Sequence, residues 1–343
     1  MKNMIFKRRL PIPKELKEMY PVSEEGARAK QSNDAEIKKI ITGGSDKMLL
    51  VIGPCSADRE DAVLEYIERL NGLKDKVSDK IFIVPRIFTN KPRSNGAGYM
   101  GMLHQPDPNA EPDVLQGLIA LRRLHMRVLN ETGFSCADEL LYPEEYRFLS
   151  DLLSYVTVGA RSVENQQHRL TASGLDIPVG LKNPTSGDLS MMLKAIAAAQ
   201  TPHTFIYRNW EVESKGNPLA HAILRGWSDA GGNAHPNFDF DTLTRLSDLY
   251  NENRLSNPAL IIDTNHANSG KDFLKQGYIA KDVLKSAARS ADIKRLLKGF
   301  MIESYLEDGC QKPGGSKYGQ SITDPCLGWQ KTEKLILELA EIW

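Results

Sequence analysis

Eight short apolar runs recur along this chain, at 49–52, 81–84, 134–137, 156–160, 178–181, 222–224, 260–262 and 300–302, and each is of strand length. Strict alternation of apolar and polar residues is mostly absent from them, the pattern of strands buried on both faces. Between the runs, apolar positions return at a helical period. The stretch 58–73 carries Val63, Ile67, Leu70 and Leu73 on one stripe, and 114–129, 143–153, 189–199, 240–250, 279–288 and 324–342 are further helix candidates. Strands alternating with helices imply parallel pairing through right-handed crossovers. Eight such units predict an α/β fold, a closed (β/α)8 TIM barrel whose strand ends converge on one rim.

Three segments depart from the alternation. Before the first run, 23–41 is charged and helical in pattern, with Ser23-Glu24-Glu25 as its start and Gly43-Gly44 as its stop. It reads as an N-terminal extension over 1–45, leaving 46–343 as the barrel. Its apolar positions need cover, which predicts a homodimer or homotetramer with the extension at an interface. Between Phe88 and Val114 lies a long segment rich in Asn, Gly and Pro that includes Lys91-Pro92-Arg93-Ser94. Loops of that length in compact enzymes usually carry function. In 205–225, two apolar runs flank Lys215-Gly216-Asn217-Pro218, which reads as a strand drawn out into a hairpin and returning, an insertion assigned after the sixth strand.

Composition narrows the function classes. Lys plus Arg equals Asp plus Glu at 44 each, so no overall basic field favours nucleic acid or an anionic membrane. Met4-Ile5-Phe6 is too short for a secretory signal, and no run approaches the roughly 20 apolar residues of a membrane span. A soluble, cytoplasmic protein is expected. Cys55, Cys136, Cys310 and Cys326 lack zinc-finger spacing and are too sparse for a disulfide framework, so reduced thiols are the default.

The chemistry gathers where the runs end. Cys55 and Ser56 follow the first, Arg86 the second, Asp138 and Glu139 the third, Arg161 the fourth, Lys182 the fifth, Arg225 the sixth, Asp263 and His266 the seventh, and Glu303 the eighth. Cys55, His266, Glu303 and Asp324 together could hold one divalent transition metal, and their sulfur and nitrogen donors favour Mn, Fe, Co or Zn over Mg. Taken singly, a cysteine after a strand is more often packing than ligand. Arg86, Lys91, Arg93, Arg161, Lys182 and Arg225 would repel one another on a shared rim unless anions lay between them, which implies a substrate carrying phosphate or carboxylate. A lone arginine is more often a surface ion pair; the set favours ligand binding. Gly53 and Gly98 belong to no dinucleotide or phosphate-loop motif. Met191-Met192 reads as helix core. His104, His125, His168, His203, His221 and His235 have no carboxylate partner at ligand spacing, although His168 follows Arg161 closely enough to approach the rim.

Seven motifs stand in order: Gly53-Pro54-Cys55-Ser56, Lys91-Pro92-Arg93-Ser94, Gly159-Ala160-Arg161, Gly180-Leu181-Lys182-Asn183, Leu224-Arg225-Gly226, His266-Ala267-Asn268-Ser269 and 318–324. In these the chain, from about Met48 onward, resembles the class I 3-deoxy-7-phosphoheptulonate synthases of the shikimate pathway. The resemblance implies condensation of phosphoenolpyruvate with erythrose 4-phosphate. It implies metal ligation by Cys55, His266, Glu303 and Asp324. Arg86, Lys91, Ala160, Arg161, Lys182 and Arg225 would bind phosphoenolpyruvate, with Glu139 reaching it through water, and Arg93 and Ser94 would meet the aldose phosphate. Lys91 would donate a proton or hydrogen bond to the developing alkoxide, and Glu139 would orient the attacking water. The tetrose motif often ends in Thr; here it ends in Ser94, which keeps the hydroxyl. In feedback-inhibited relatives the extension and the inserted hairpin build an aromatic amino-acid site, but this hairpin is short and Tyr207 and Arg208 add bulk near its base, so inhibition by Phe, by Tyr or by neither stays open. The resemblance also supports pairing of Cys55 with Cys326, two residues beyond Asp324; packing of Cys326 at the start of the last helix is the alternative.

Competing readings explain less. A 3-deoxy-octulosonate phosphate synthase shares the barrel but has a longer Lys-Ala-Asn-Arg motif where this chain has Lys91-Pro92-Arg93-Ser94. A metal-dependent aldolase accounts for the metal and one phosphate but not for six rim cations, and a silent phosphosugar-binding barrel would need neither metal ligands nor a full set of anion clamps.

Overall fold

The computed structural model describes residues 2–93 and 98–343. Eight parallel strands carry the fold: β1 (Met48–Gly53), β2 (Ile81–Pro85), β3 (Cys136–Glu139), β4 (Leu153–Val158), β5 (Val179–Lys182), β6 (Ala220–Leu224), β7 (Leu260–Asp263) and β8 (Leu297–Glu303). Their order is β2-β1-β8-β7-β6-β5-β4-β3, and a parallel bridge between Arg86 and Ala137 joins β2 to β3 and closes the barrel. Ile87 N–H donates to Ala137 O at 2.9 Å across that seam.

Alternation along the buried strands divides the core in two. Leu50 and Ile52 of β1 pack outward against the helices, while Leu49 and Val51 join Val84, Tyr155, Ile223, Ile261 and Met301 inside the barrel. The helix Glu24–Thr42 contributes Ile37, Ile40 and Ile41 to that interior cluster, beside Leu219 and Ala259 at the starts of β6 and β7. Its ends are those expected: Ser23 Oγ accepts Gly26 N–H at 3.0 Å, and Gly43 takes the left-handed conformation at φ 77°.

Several expectations are corrected. The hairpin is Thr204–Tyr207 with Trp210–Glu213, and it precedes the sixth barrel strand. Its turn falls at Arg208 and Asn209, with Arg208 at φ 57°, whereas Lys215-Gly216-Asn217-Pro218 leads straight into β6. Asn217 N–H bonds Ala199 O at 2.8 Å and its side-chain amide bonds Ile177 O at 3.0 Å, which pins this segment to the barrel and leaves no room for a hairpin tip. A second ribbon, Trp227–Ser228 with Ala234–His235, follows β6. The helix expected over 143–153 shrinks to Tyr146–Leu149, because Leu153 already pairs with Cys136 in the sheet. That expected over 324–342 runs only from Trp329 to Ile342, since Leu327 bonds back to β8 through Glu303 O at 2.9 Å. A further helix, Pro13–Met19, lies where the apolar pattern predicts no element; Pro13 sits in its first turn, and Glu15 accepts Ile12 N–H at 2.8 Å.

Candidate active site

The C-terminal strand ends surround a cavity of about 610 Å³ that is lined by all six expected cations, Arg86, Lys91, Arg93, Arg161, Lys182 and Arg225, together with Glu139, Ala160, His266 and Asp324. Ser94 lies outside the described residues. Lys271 and Lys312 also line the cavity, and since neither ends an apolar run, no strand-exit signal in the sequence marks them. Gly53 has a steric role there: a Cβ on it would meet Arg86 O at 2.2 Å, so only glycine lets β1 pass this close to the residue that closes the barrel.

At one side of the cavity the ligand atoms of Cys55, Glu303 and Asp324 lie within 4.8 Å of one another. His266 Nε2 approaches to 3.9 Å from Glu303 Oε1. Its other nitrogen, Nδ1, is 2.9 Å from Asp263 Oδ2, an orientation that leaves Nε2 to face the cluster. Asn265 Nδ2 donates to Glu303 Oε2 at 2.6 Å and Arg86 Nη2 to Oε1 at 2.8 Å, so the carboxylate is fixed from both sides. Burial raises the carboxyl pKa of both Glu303 and Asp263, but their neighbours outweigh it: Arg86, then the His266 ring and Lys91, hold Glu303 low, and the His266 ring, Lys182 and Arg225 hold Asp263 far below the usual range. Burial and then Glu303 push the Cys55 thiol up. A thiol beside two carboxylates and an oriented imidazole is a donor set that suits a divalent cation, whose charge favours the thiolate.

Lys91 connects this cluster to the cationic wall of the cavity. Its Nζ is 3.0 Å from Cys55 Sγ, and although burial favours the neutral amine, Cys55, Glu303 and Asp324 together outweigh it and hold Lys91 above the ordinary lysine range. Lys182 Nζ lies 3.4 Å from Asp263 Oδ2. Arg86 is committed to protein partners through both terminal nitrogens, Nη1 to Pro54 O and Nη2 to Glu303, and its plane lies 3.7 Å over Phe88. Arg161 is exposed with Nη1 on Pro92 O at 3.2 Å, and Arg93 Nε reaches Tyr99 O at 3.0 Å, so among the described residues each keeps other donors for a ligand. Burial lowers the Arg225 pKa. Gly159 makes space for Glu139, whose Oε1 would lie 2.8 Å from a Cβ there.

Cys55 N–H donates to Cys326 Sγ at 3.3 Å, and both thiols are buried and free. His168 does not reach the cavity; its ring is held by Asn165 and by Leu141 O, each at 3.1 Å. Two histidines do have carboxylate neighbours: His235 Nε2 is 3.0 Å from Asp229 and His125 Nε2 is 3.5 Å from Asp138, pairs formed by folding and invisible as spacing.

A larger cavity, about 1120 Å³, shares no residue with the first. Pro13, Lys14 and Lys17 of the extension, Tyr146 and Arg147, and Phe205, Tyr207 and Val212 of the hairpin line it. It has room for a ligand, but among the described residues no cluster that could hold a metal lies on it, so the smaller cavity is the candidate active site.

A family model described as the DAHP synthetase I family matches residues 20–337. The chain is 35% identical over 339 residues to the Tyr-sensitive phospho-2-dehydro-3-deoxyheptonate aldolase of Escherichia coli, covering 96% of this chain and 92% of that one. It is 36% identical over 339 residues to the Trp-sensitive enzyme of the same organism, covering 96% and 94%. The solved structure of a phospho-2-dehydro-3-deoxyheptonate aldolase from Francisella tularensis superposes with a TM-score of 0.92 at 31% identity, over 99% of this chain and 98% of the other.

Proposed function

The chain belongs to the DAHP synthetase I family, and from that membership we propose that it condenses phosphoenolpyruvate with erythrose 4-phosphate. The products would be 3-deoxy-D-arabino-heptulosonate 7-phosphate and inorganic phosphate, in the first step of aromatic amino-acid biosynthesis. The observation that carries the reading is a single cavity in which eight basic side chains, the six rim cations with Lys271 and Lys312, stand beside the cluster of Cys55, Glu303 and Asp324. Substrates with two phosphates and a carboxylate require the cations, and an aldehyde acceptor calls for the metal.

Cys55, His266, Glu303 and Asp324 would hold Mn, Fe, Co or Zn, which supplies Lewis acidity toward the aldehyde carbonyl. Arg161, Lys182 and Arg225, with the backbone of Ala160 beside them, would clamp phosphoenolpyruvate, and Arg86 would border that subsite while bracing Glu303. Arg93 and Ser94 would take the phosphate of the tetrose. As C3 of phosphoenolpyruvate forms its bond to the aldehyde carbon, Lys91 donates a proton to the oxygen that gains charge. Water adds to C2 with Glu139 orienting it and receiving its proton; the bond from C2 to the phosphate oxygen then breaks, leaving a ketone and inorganic phosphate. A coupled assay for phosphate release with phosphoenolpyruvate and aldose phosphates of four and five carbons tests the proposal. Turnover restricted to the five-carbon substrate would assign the chain to the octulosonate branch, and absence of phosphate release would end the reading.

Oxidation gives a second check on the metal-binding cluster. With air as oxidant, the thiols of Cys55 and Cys326 would lose two protons and two electrons to dioxygen and form a disulfide, removing one metal ligand. Metal-free enzyme left in air should lose two thiols and its activity together and regain both with reductant and metal. Cys326→Ser should resist; equal sensitivity would refute the pairing.

Assembly and control follow from the extension. Met4, Ile5 and Phe6 are exposed before the first helix, and Ile206 and Trp210 are exposed on the hairpin, which supports a homodimer or homotetramer joined through these segments. Removal of 1–45 would uncover the interior beneath Ile37, Ile40 and Ile41. Removing only residues 1–12 should instead lower the oligomer mass in light scattering, with turnover retained. An unchanged mass would leave the extension outside the interface. The larger cavity, bordered by the same extension and hairpin, is the place for an aromatic inhibitor if Phe or Tyr acts on this enzyme.

A further inference from the structure

Thr89 and Asn90, the two residues before Lys91, are buried against Asp138 and Glu145, and His125 Nε2 lies 3.5 Å from Asp138 Oδ2. Thr89 N–H and Oγ1 reach Asp138 Oδ1 and Oδ2 at 2.9 and 2.6 Å, and Asp138 Oδ1 also accepts the Glu139 N–H at 2.7 Å. On the far side Thr89 Oγ1 lies 3.2 Å from Glu145 Oε1, and Asn90 Nδ2 donates to Glu145 Oε2.

A hydroxyl has a single proton to give. Thr89 gives it to Asp138, the shorter contact and an acceptor already holding two backbone N–H groups. The contact with Glu145 Oε1 is then a hydrogen bond only when that oxygen carries the proton. Two ionised carboxylates flanking one buried hydroxyl would also repel in a poorly screened setting. Burial, followed by the charge of Asp138, pushes the Glu145 carboxyl well above the usual range.

We propose that Glu145 is a positioning residue that, as a neutral acid, donates to Thr89 and through it to Asp138, and so fixes Lys91 and Glu139 on the cavity wall. The inference rests on the roles proposed above for those two side chains. Thr89 sits two residues before Lys91, and Asp138 directly precedes Glu139, so one hydrogen-bonded chain sets both proton-handling groups. The ionisable groups around Glu145 are Asp138 and Glu139 of β3, Tyr142 and Tyr146 on either side of it in the chain and, beyond Asp138, His125 on the helix Val114–Thr132.

Glu145→Gln, Glu145→Ala and Thr89→Val test it, each measured for kcat, for both KM values and for Tm against pH. Gln can donate to Thr89 while accepting from Asn90, and it should keep at least about a third of native kcat; Ala and Val should lower kcat about tenfold or more while KM for phosphoenolpyruvate stays within about threefold. A carboxyl whose folded pKa is raised adds stability that is full below its unfolded value near 4.3 and is lost as pH rises toward the folded value. The native protein should therefore lose Tm with rising pH by a component that Glu145→Gln lacks. Identical pH slopes would overturn the neutral acid, as would a Gln variant as slow as Ala. Native kcat in Thr89→Val or Glu145→Ala would overturn the positioning role. If the Ala variant fails to fold, Thr89→Val and the Gln slope still decide. The slope needs no turnover, so failure of the proposed reaction is distinguishable from failure of this inference.

Discussion

Replacing Cys55 or His266 with alanine should lower kcat by on the order of a thousandfold or more, since Lewis-acid stabilisation of developing charge is worth several kcal/mol and each 1.36 kcal/mol is tenfold in rate. The barrel should survive both changes. His266 is partly exposed on the rim, and its contacts run to Asp263 and Glu303 rather than to apolar packing. Cys55 is fully buried, but Ala keeps most of its volume, and the surrounding strands hold their own ladder. Bound metal, measured by elemental analysis, should fall with activity, and in the native enzyme a chelator should remove both until Mn, Co or Fe is returned. Asp263→Asn adds a finer arm. It keeps a hydrogen bond to His266 Nδ1 but loses the charge, and such a change typically costs about 10- to 100-fold in metal affinity. Full turnover in Cys55→Ala, or a chelator-resistant enzyme free of metal, would refute the metal centre.

The barrel and its rim were legible in the sequence for one reason: strands buried on both faces cannot alternate, so their apolar runs are continuous and the polar residue ending each run marks the strand's exit. Lys182 is such an exit, buried at the cavity, and Glu303 is another, buried in the cluster with Cys55 and Asp324 beside it. What the sequence concealed depends on contacts between distant segments. The hairpin was misplaced because Phe205 and Ile206 look as apolar as β6, yet Ile206 is exposed while every residue of β6 is buried. Lys271 reaches the cavity on a φ of 64° after Gly270, a turn that no periodicity announces, and there it pairs with Asp324 at 2.9 Å. Arg86 shares its charge with the other rim cations, but its bonds to Glu303 and Pro54 make it equally a brace for the cluster of Cys55, Glu303 and Asp324. Pairings such as Asp263 with His266 lie three residues apart and could have been read from Asp-x-x-His, whereas Glu145 with Asn90 spans 55 positions and could not.

Lys182→Ala and Arg225→Ala should raise KM for phosphoenolpyruvate, by amounts set by how dry each cation is. Truncating one partner of a desolvated charge pair costs about 2 to 5 kcal/mol, on the order of 30- to 4,000-fold in affinity. Lys182 is buried and shares the Asp263 carboxylate with His266, so its loss also leaves a buried anion short of one cation. The Lys182 effect should therefore exceed that of Arg161, which is exposed and screened by solvent. Arg225, partly buried with its pKa lowered by that burial, should fall between them. Arg93→Ala should act on the tetrose instead, because Arg93 belongs to the loop at the other side of Lys91 and keeps its terminal nitrogens clear of its bond to Tyr99. Steady-state KM values for the two substrates, measured for all four variants, separate the subsites. A rise in tetrose KM for Lys182→Ala with phosphoenolpyruvate KM unchanged would reverse the assignment, and equal effects for Lys182 and Arg161 would show that burial does not rank these cations.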